Sequence, residues 1–202
     1  CSYGGPGACK HVVAVLLAVA DDMPDDDGER IADLLADIST EDLRAFVREE
    51  LTRDSEMRER FLAEFGDDST VSPAEHRQKV DHLFDQHTQT YPVVTGAIDF
   101  SEVTDLAERY RANGKLEQAA AVYRGLSEGI AENMDLVDGA YDHYTRTFQS
   151  ALDGYVECVA EAELDDATVK NHVEYLETRA GEVVDYLARR YEEALDDLES
   201  AE

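Results

Sequence analysis

Three residues near the start of the chain, Cys1, Cys9 and His11, have side chains and a spacing that suit a metal site. Structural Zn²⁺ is bound by thiolate sulfur and imidazole nitrogen, with four ligands in a tetrahedron. Residues 4–7 read Gly-Gly-Pro-Gly, and glycine allows the tight reversal that brings distant ligands together. The spacing therefore predicts a closed, structural zinc site with Cys1, Cys9 and His11 as three of its ligands.

An apolar helix is expected to hold these ligands. Residues 12–20 read VVAVLLAVA, which predicts a helix over about 9–20 that is buried on most sides. Cys9 and His11 then lie at its N-terminus, where the helix dipole favours a thiolate. The run is too short to span a bilayer, and no basic segment precedes it as in a signal peptide.

The sequence Cys9-Lys10-His11 followed by an apolar helix resembles the C-terminal part of a SWIM zinc finger. That family reads Cys-x-Cys, a variable loop, then Cys-x-His and a hydrophobic helix. Cys1 would be the second cysteine of the first pair, so the fourth ligand would lie two residues upstream of this chain. The other register places Tyr3, a poor ligand, at that position. The resemblance covers residues 1–20 and implies contacts with protein or DNA.

The charge of the chain limits the kinds of partner. Asp and Glu total 47 against 18 Lys and Arg, a net charge of −29, and the acidic residues are spread along the whole chain. This composition resembles that of proteins from salt-accumulating archaea; the alternative is an acidic patch for a basic partner. Phosphate contacts need clustered cations, and Lys10 is the only basic residue near the predicted finger. We therefore favour a protein partner over nucleic acid, which remains possible.

Helical periodicity predicts an all-α fold, a helical bundle with hairpins after the N-terminal loop. Residues 1–20 would form the C-terminal part of the finger, 29–66 a short helical hairpin region and 72–202 a helical bundle whose last part is two long helices. Within 103–131, a set of spaced residues resembles a tetratricopeptide hairpin: Leu106, Ala107, Tyr110, Gly114, Ala119 and Tyr123. However, Leu126 replaces the usual Ala, and no second copy follows.

No other motif indicates catalysis. His76 and His87 share one helical face but lie about 16 Å apart along the axis, too far to share a metal. Cys158 has no His or Lys within a helical turn, which favours a buried structural thiol. We expect a non-catalytic, cytoplasmic zinc-finger protein without a membrane partner, and a homodimer is possible. The alternative is a zinc-free helical adaptor that binds a peptide or helix in a groove.

Overall fold

The computed structural model describes residues 27–66, 70–88, 93, 94, 96–137 and 142–200. The chain divides into two compact units, Cys1–Arg53 and Asp54–Glu202. Within the described residues the secondary structure is helical, apart from an isolated parallel bridge between Val94 and Val137. The predicted all-α class is confirmed.

The described part of the first unit contains two helices, α1 (Asp27–Asp37) and α2 (Thr40–Arg53). The sequence Ser39 with Asp42 three residues on is typical of a helix N-cap, and the cap of α2 is present: the backbone N–H of Asp42 donates to Ser39 Oγ at 3.0 Å, and the Ser39 hydroxyl donates to Asp42 Oδ2 at 2.6 Å. None of the residues described from 30 to 53 is buried.

Seven helices and a short 3-10 turn are described in the second unit. They are α3 (Ser55–Phe65), α4 (Pro73–Thr88), α5 (Ser101–Ala112), α6 (Leu116–Glu132), the turn Met134–Leu136, α7 (Asp142–Glu161), α8 (Asp166–Glu182) and α9 (Asp185–Ser200). Local signals set several ends. Asp54 and Asp165 accept the backbone N–H groups of Met57 and Thr168, and Gly114, with φ +72°, makes the α5–α6 turn.

Helix α6 is the centre of the second unit, because α4, α5 and α7 all pack against it. Two glycines let α4 approach closely. A Cβ at Gly125 would lie 2.5 Å from the carbonyl oxygen of Pro73, and one at Gly129 would lie 2.6 Å from Val80 Cβ. The bundle core thus depends on a face of α6 that has no side chains at these two positions.

Aromatic rings join α7 to its neighbours. The Tyr144 hydroxyl donates to the carbonyl of Gly96 at 2.6 Å and accepts the N–H of Ile98 at 3.0 Å, so it fixes the segment before α5. Phe148 meets Tyr191 of α9 edge to face, with 5.5 Å between ring centroids. Apolar and aromatic residues recur every three or four positions along α7, which predicts an inward face. Five residues of this face are buried: Tyr144, Phe148, Leu152, Tyr155 and Val159.

Two expectations from the sequence are wrong. The second long helix of the C-terminal region is broken at Val183 and Val184 into α8 and α9. In addition, the helical spacing of Phe61, Leu62 and Phe65 predicts that they face inward, but they are 37%, 43% and 71% accessible. Periodicity places these side chains on one face of α3 but does not show that another helix covers that face.

Candidate functional site: an apolar groove with a carboxylate rim

A groove of about 310 Å³ lies where the end of α6, the 3-10 turn and the α8–α9 junction meet. Val184 and Tyr186 are 55% and 52% exposed there, whereas Leu187 is buried. The apolar lining consists of Ala131, Met134, Val183, Val184, Tyr186 and Leu187. Its location at a junction of four elements, with large apolar side chains open to solvent, makes it the best candidate binding surface among the described residues.

The break between α8 and α9 forms this groove. Val183 is extended, with φ −98° and ψ 170°, and the carbonyl of Val184 accepts the N–H groups of Leu187 and Ala188, both at 2.9 Å. Gly181 and two consecutive β-branched residues have low helix propensity, which explains why the chain leaves the helix here. The new helix then starts with Tyr186 and Leu187 at the groove.

Carboxylates dominate the polar rim. Glu132, Asp135 and Glu182 line the groove, and Arg179 is the only cation among its lining residues. The Arg179 side chain is only 15% exposed, with Nη1 3.2 Å from Glu182 and Nη2 3.5 Å from Glu132. Glu132 is also 3.3 Å from Nη1 of Arg77. Since the Arg179 charge is already shared between two carboxylates, the rim is net negative.

A buried cluster of aromatic and charged side chains supports the helices behind the groove. The guanidinium of Arg124 on α6 lies over the ring of Tyr175 on α8, and its Nε donates to Glu128 at 2.9 Å. Tyr175 in turn meets Tyr191 of α9 edge to face at 6.4 Å. The hydroxyls of Tyr175 and Tyr191 are buried without a hydrogen bond of normal geometry.

In and beside this cluster, the pKa values of His172, Tyr155 and Tyr175 are shifted away from neutral pH. Burial lowers the pKa of His172, and the charge of Arg124 adds to the effect. Burial also raises the pKa of Tyr155 and Tyr175. Tyr155 Oη and His172 Nδ1 are 2.7 Å apart. At neutral pH the pair therefore consists of a phenol and a neutral imidazole, a combination suited to a hydrogen bond within the core.

The residues predicted to bind zinc, Cys1, Cys9 and His11, all lie outside the described residues. Within the part of the chain that the structure describes, no group of three or more His, Cys, Asp and Glu side chains could hold a metal ion. His76 is buried and His87 is exposed, with Nδ1 2.8 Å from the carbonyl of Leu83. Neither histidine belongs to such a group.

Cys158 is fully buried, as predicted, and burial raises the pKa of its thiol to about 11.

The sequence did not predict the groove, because its walls come from segments about fifty residues apart in sequence. Only one local signal indicated it, the Val183-Val184 pair after Gly181, and that pair lies inside an otherwise continuous helical pattern.

Comparison with protein-family models, curated proteins and solved structures found no match for the chain. Among the described helices, none combines the length and the apolar character that crossing a membrane requires. Any function must therefore be inferred from the residues and the geometry of this chain alone.

Proposed function

We propose that the chain is a non-catalytic protein-interaction scaffold, and that the apolar groove receives a short segment of a protein partner. The observation that carries this proposal is the combination of exposed Val184 and Tyr186 with a rim of three carboxylates. Apolar surface of this kind gains free energy when a partner covers it, and aromatic residues such as Tyr are enriched at binding hot spots.

The rim defines the chemistry of the segment. Glu132, Asp135 and Glu182 favour Lys or Arg on either side of the inserted apolar side chain. Salt screens such contacts, with a Debye length of about 3 Å at 1 M. In a protein adapted to high salt the apolar anchor must supply most of the affinity, which for one buried Leu or Phe is about 1.5–3 kcal/mol. The basic flanks would supply specificity.

Fluorescence anisotropy tests the proposal directly. The probe is a labelled peptide with Leu-Phe between two Lys-Arg pairs, compared with an isomer that carries Glu-Asp pairs instead. We expect saturable binding of the basic peptide, loss of binding in Val184→Asp, and retention in Val93→Asp. Val93 is a matched control because it is also an exposed valine, 43% accessible and not among the residues of the groove.

Two results would overturn the groove as the binding site. One is equal binding by the Val184→Asp and Val93→Asp variants. The other is the absence of binding of either peptide to the wild-type chain at every salt concentration. Preference for the Glu-Asp isomer would contradict the role given to the rim. Circular dichroism of both variants confirms that the helices are retained.

The N-terminal part of the proposal rests on the sequence. Cys1, Cys9 and His11 would bind a structural zinc ion as in a SWIM finger, with the fourth ligand upstream. The net charge of −29 favours protein over nucleic acid as the partner. The zinc-free helical adaptor remains the alternative, and the groove is compatible with both. The zinc content of an upstream-extended chain distinguishes the two.

A further inference from the structure

We infer that helix α3 separates from α5 in mild acid, when the buried imidazole of His76 takes up a proton. His76 lies on α4, beside a cavity of about 10 Å³ that side chains of α3, α4 and α5 line together. The residue is 5% exposed, and its Nδ1 is buried without a hydrogen-bond partner. A buried polar atom without a partner is unusual in a folded protein, and here it lies at the junction of three helices.

The carboxylates of α3 nearest to this junction already have partners. Glu59 binds Lys79 of α4, and the carboxylate of Glu56 lies 3.3 Å from Nη2 of Arg60 on its own helix. The charged groups that line the cavity or act on His76 are Glu56, Glu59 and Arg60 of α3, Glu75 and Lys79 of α4, and Glu102 of α5.

A proton on His76 is unfavourable in this arrangement. No described carboxylate accepts a hydrogen bond from Nδ1. On the side toward α6, the residue packs against the backbone of Gly125, where a Cβ would lie 2.7 Å from His76 Cβ. Burial and the charge of Lys79 lower the pKa of His76, and they outweigh Glu59 and Glu75, which raise it. A buried imidazolium without a partner is costly, whereas water solvates it once α3 has separated.

α3 is the element that separates, because few apolar contacts hold it. All of α3 is described, and Ala63 is its only buried residue. Polar contacts add to its attachment: the Lys79–Glu59 pair, and Lys115 Nζ, which donates to the carbonyls of Leu62 at 3.1 Å and Ala63 at 2.7 Å. Segments with little buried apolar surface open at a lower free energy than the whole domain unfolds. α3 can therefore separate while the rest of the bundle stays packed.

Separation exposes apolar surface on α5. Val103 and Leu106 line the cavity on the α5 side, and they are 4% and 5% exposed while α3 is attached. Mild acid thereby adds a second apolar surface to the bundle, distinct from the groove at the α8–α9 junction and of the kind that protein partners contact.

The sign of the pH dependence follows from His76. Because its pKa in the attached form is below the ordinary 6.5, attachment of α3 is strongest above about pH 6.5 and weakens as the pH falls toward that lowered pKa. Glu102 acts in the opposite direction, since burial and the neighbouring Glu56 raise its pKa, and its protonation in acid favours attachment. The experiment therefore has to isolate the histidine.

Hydrogen exchange of the full chain, in about 1 M KCl to screen charge, measures the opening of α3. Rates at about pH 7.5 and about pH 5.5 are corrected for the exchange of unstructured amides at each pH. We expect amides of residues 55–65 to be less protected than those of α6 at both pH values. They should lose up to about tenfold of their protection in acid, because an imidazole of ordinary pKa is about ten times more often charged than neutral at about pH 5.5.

Two histidine variants assign this loss. His76→Gln should abolish it, because glutamine does not titrate. His87→Gln is the matched control, since His87 is an exposed histidine on the same helix and is not among the residues of the cavity, and it should keep the loss. Circular dichroism checks that both variants retain their helices.

Three results would contradict the role of His76. They are protection of α3 that stays equal or rises in acid, protection of α3 equal to that of α6, and a loss of protection that persists in His76→Gln. The first two are measured on the wild-type chain, so the test stands even where His76→Gln does not fold.

The separation of α3 does not depend on the groove. Neither His76 nor any residue of α3 is among the residues that line the groove, so peptide binding there can fail while the acid response of α3 persists, and the reverse also holds.

Discussion

The guanidinium carbon of Arg124 lies 3.7 Å from the centre of the Tyr175 ring, and the same side chain binds Glu128 through its Nε. One residue of α6 thus holds a ring of α8 and a nearly buried carboxylate of its own helix. We expect Arg124→Met, which keeps most of the volume, to lower the free energy of unfolding by about 2–3 kcal/mol, because Glu128 loses its partner. Urea denaturation in high salt measures this loss.

A double-mutant cycle separates the charge contact from the ring contact. Glu128→Gln in the Arg124→Met background should cost less than Glu128→Gln alone, because the guanidinium that pairs with the carboxylate is already gone. Additive losses would contradict the pairing.

The backbone of Gly129 on α6 lies so close to Val80 of α4 that there is no room for a side chain at position 129. A Cβ at this position would lie 2.6 Å from Val80 Cβ and 2.7 Å from its Cγ1. We expect Gly129→Ala to destabilise the chain by about 1–3 kcal/mol through overpacking, despite the higher helix propensity of alanine. Thermal unfolding in high salt is the measurement.

Gly181→Ala is the control for this prediction. Gly181 also lies in a helix, but a Cβ there would meet nothing within 4 Å. The same substitution should therefore leave stability unchanged or raise it by up to about 1 kcal/mol. A similar loss in both variants would show that the close approach of α4 and α6 does not limit position 129.

His172 gives the chain a pH dependence with a defined sign. Burial, with a further contribution from Arg124, lowers its pKa below the ordinary 6.5, so the unfolded chain binds this proton more readily than the folded one. The corresponding stability is present above about pH 6.5 and falls as the pH drops toward the folded-state pKa. His172→Gln, which keeps a partner for the Tyr155 hydroxyl, should reduce that fall.

The effect of His172 has to be separated from that of the carboxylates. Their protonation relieves the repulsion of a chain at −29 and acts in the opposite direction. Urea denaturation measures the free energy of unfolding at about pH 7.5 and about pH 5.5 for the wild-type chain and for His172→Gln. The difference between the two proteins in the change from one pH to the other is the contribution of His172. If the free energy of unfolding changes equally with pH in both proteins, His172 contributes nothing to the pH dependence. Any remaining dependence would then come from other groups, such as buried His76, whose pKa is also lowered.

The features predicted from sequence are those set by neighbouring residues. Ser39 caps α2 through Asp42, Pro73 begins α4, and Gly114 turns the α5–α6 hairpin, because each depends on local backbone geometry. The buried residues of α7 also follow from their periodicity. The three local signals account for the start of α2, the start of α4 and the end of α5, and helical periodicity accounts for the all-α class.

What the sequence did not predict depends on contacts between distant elements. Phe65 has the same periodic position as a core residue, yet it is 71% exposed, because no described helix covers it. The groove required the end of α6 to meet the α8–α9 junction, which no local pattern specifies. The predicted zinc ligands remain a prediction, since they lie outside the described residues.

The stability of the chain should rise with salt. With a net charge of −29 on 202 residues, the carboxylates of the folded chain repel one another. Raising the ionic strength from about 0.1 M to about 1 M shortens the Debye length from about 10 Å to about 3 Å and so screens this repulsion. We expect the melting temperature to increase over this range in KCl. An unchanged or lower melting temperature would favour the alternative, an acidic surface that serves a basic partner.

Zinc content decides between the two forms of the proposed function. The proposed finger places its fourth ligand, a cysteine, two residues upstream of Cys1. If that proposal is right, a chain extended past this position should hold one zinc ion and lose it in Cys9→Ser. Cys158→Ser is the matched control, because that thiol is fully buried in the core and its pKa is raised to about 11, so it should retain the metal. Zinc near zero in the extended chain, or zinc unaffected by Cys9→Ser, would reject the finger and leave the zinc-free adaptor. The present chain, with three of the ligands, should bind zinc more weakly, and metal analysis after dialysis against a chelator measures that difference.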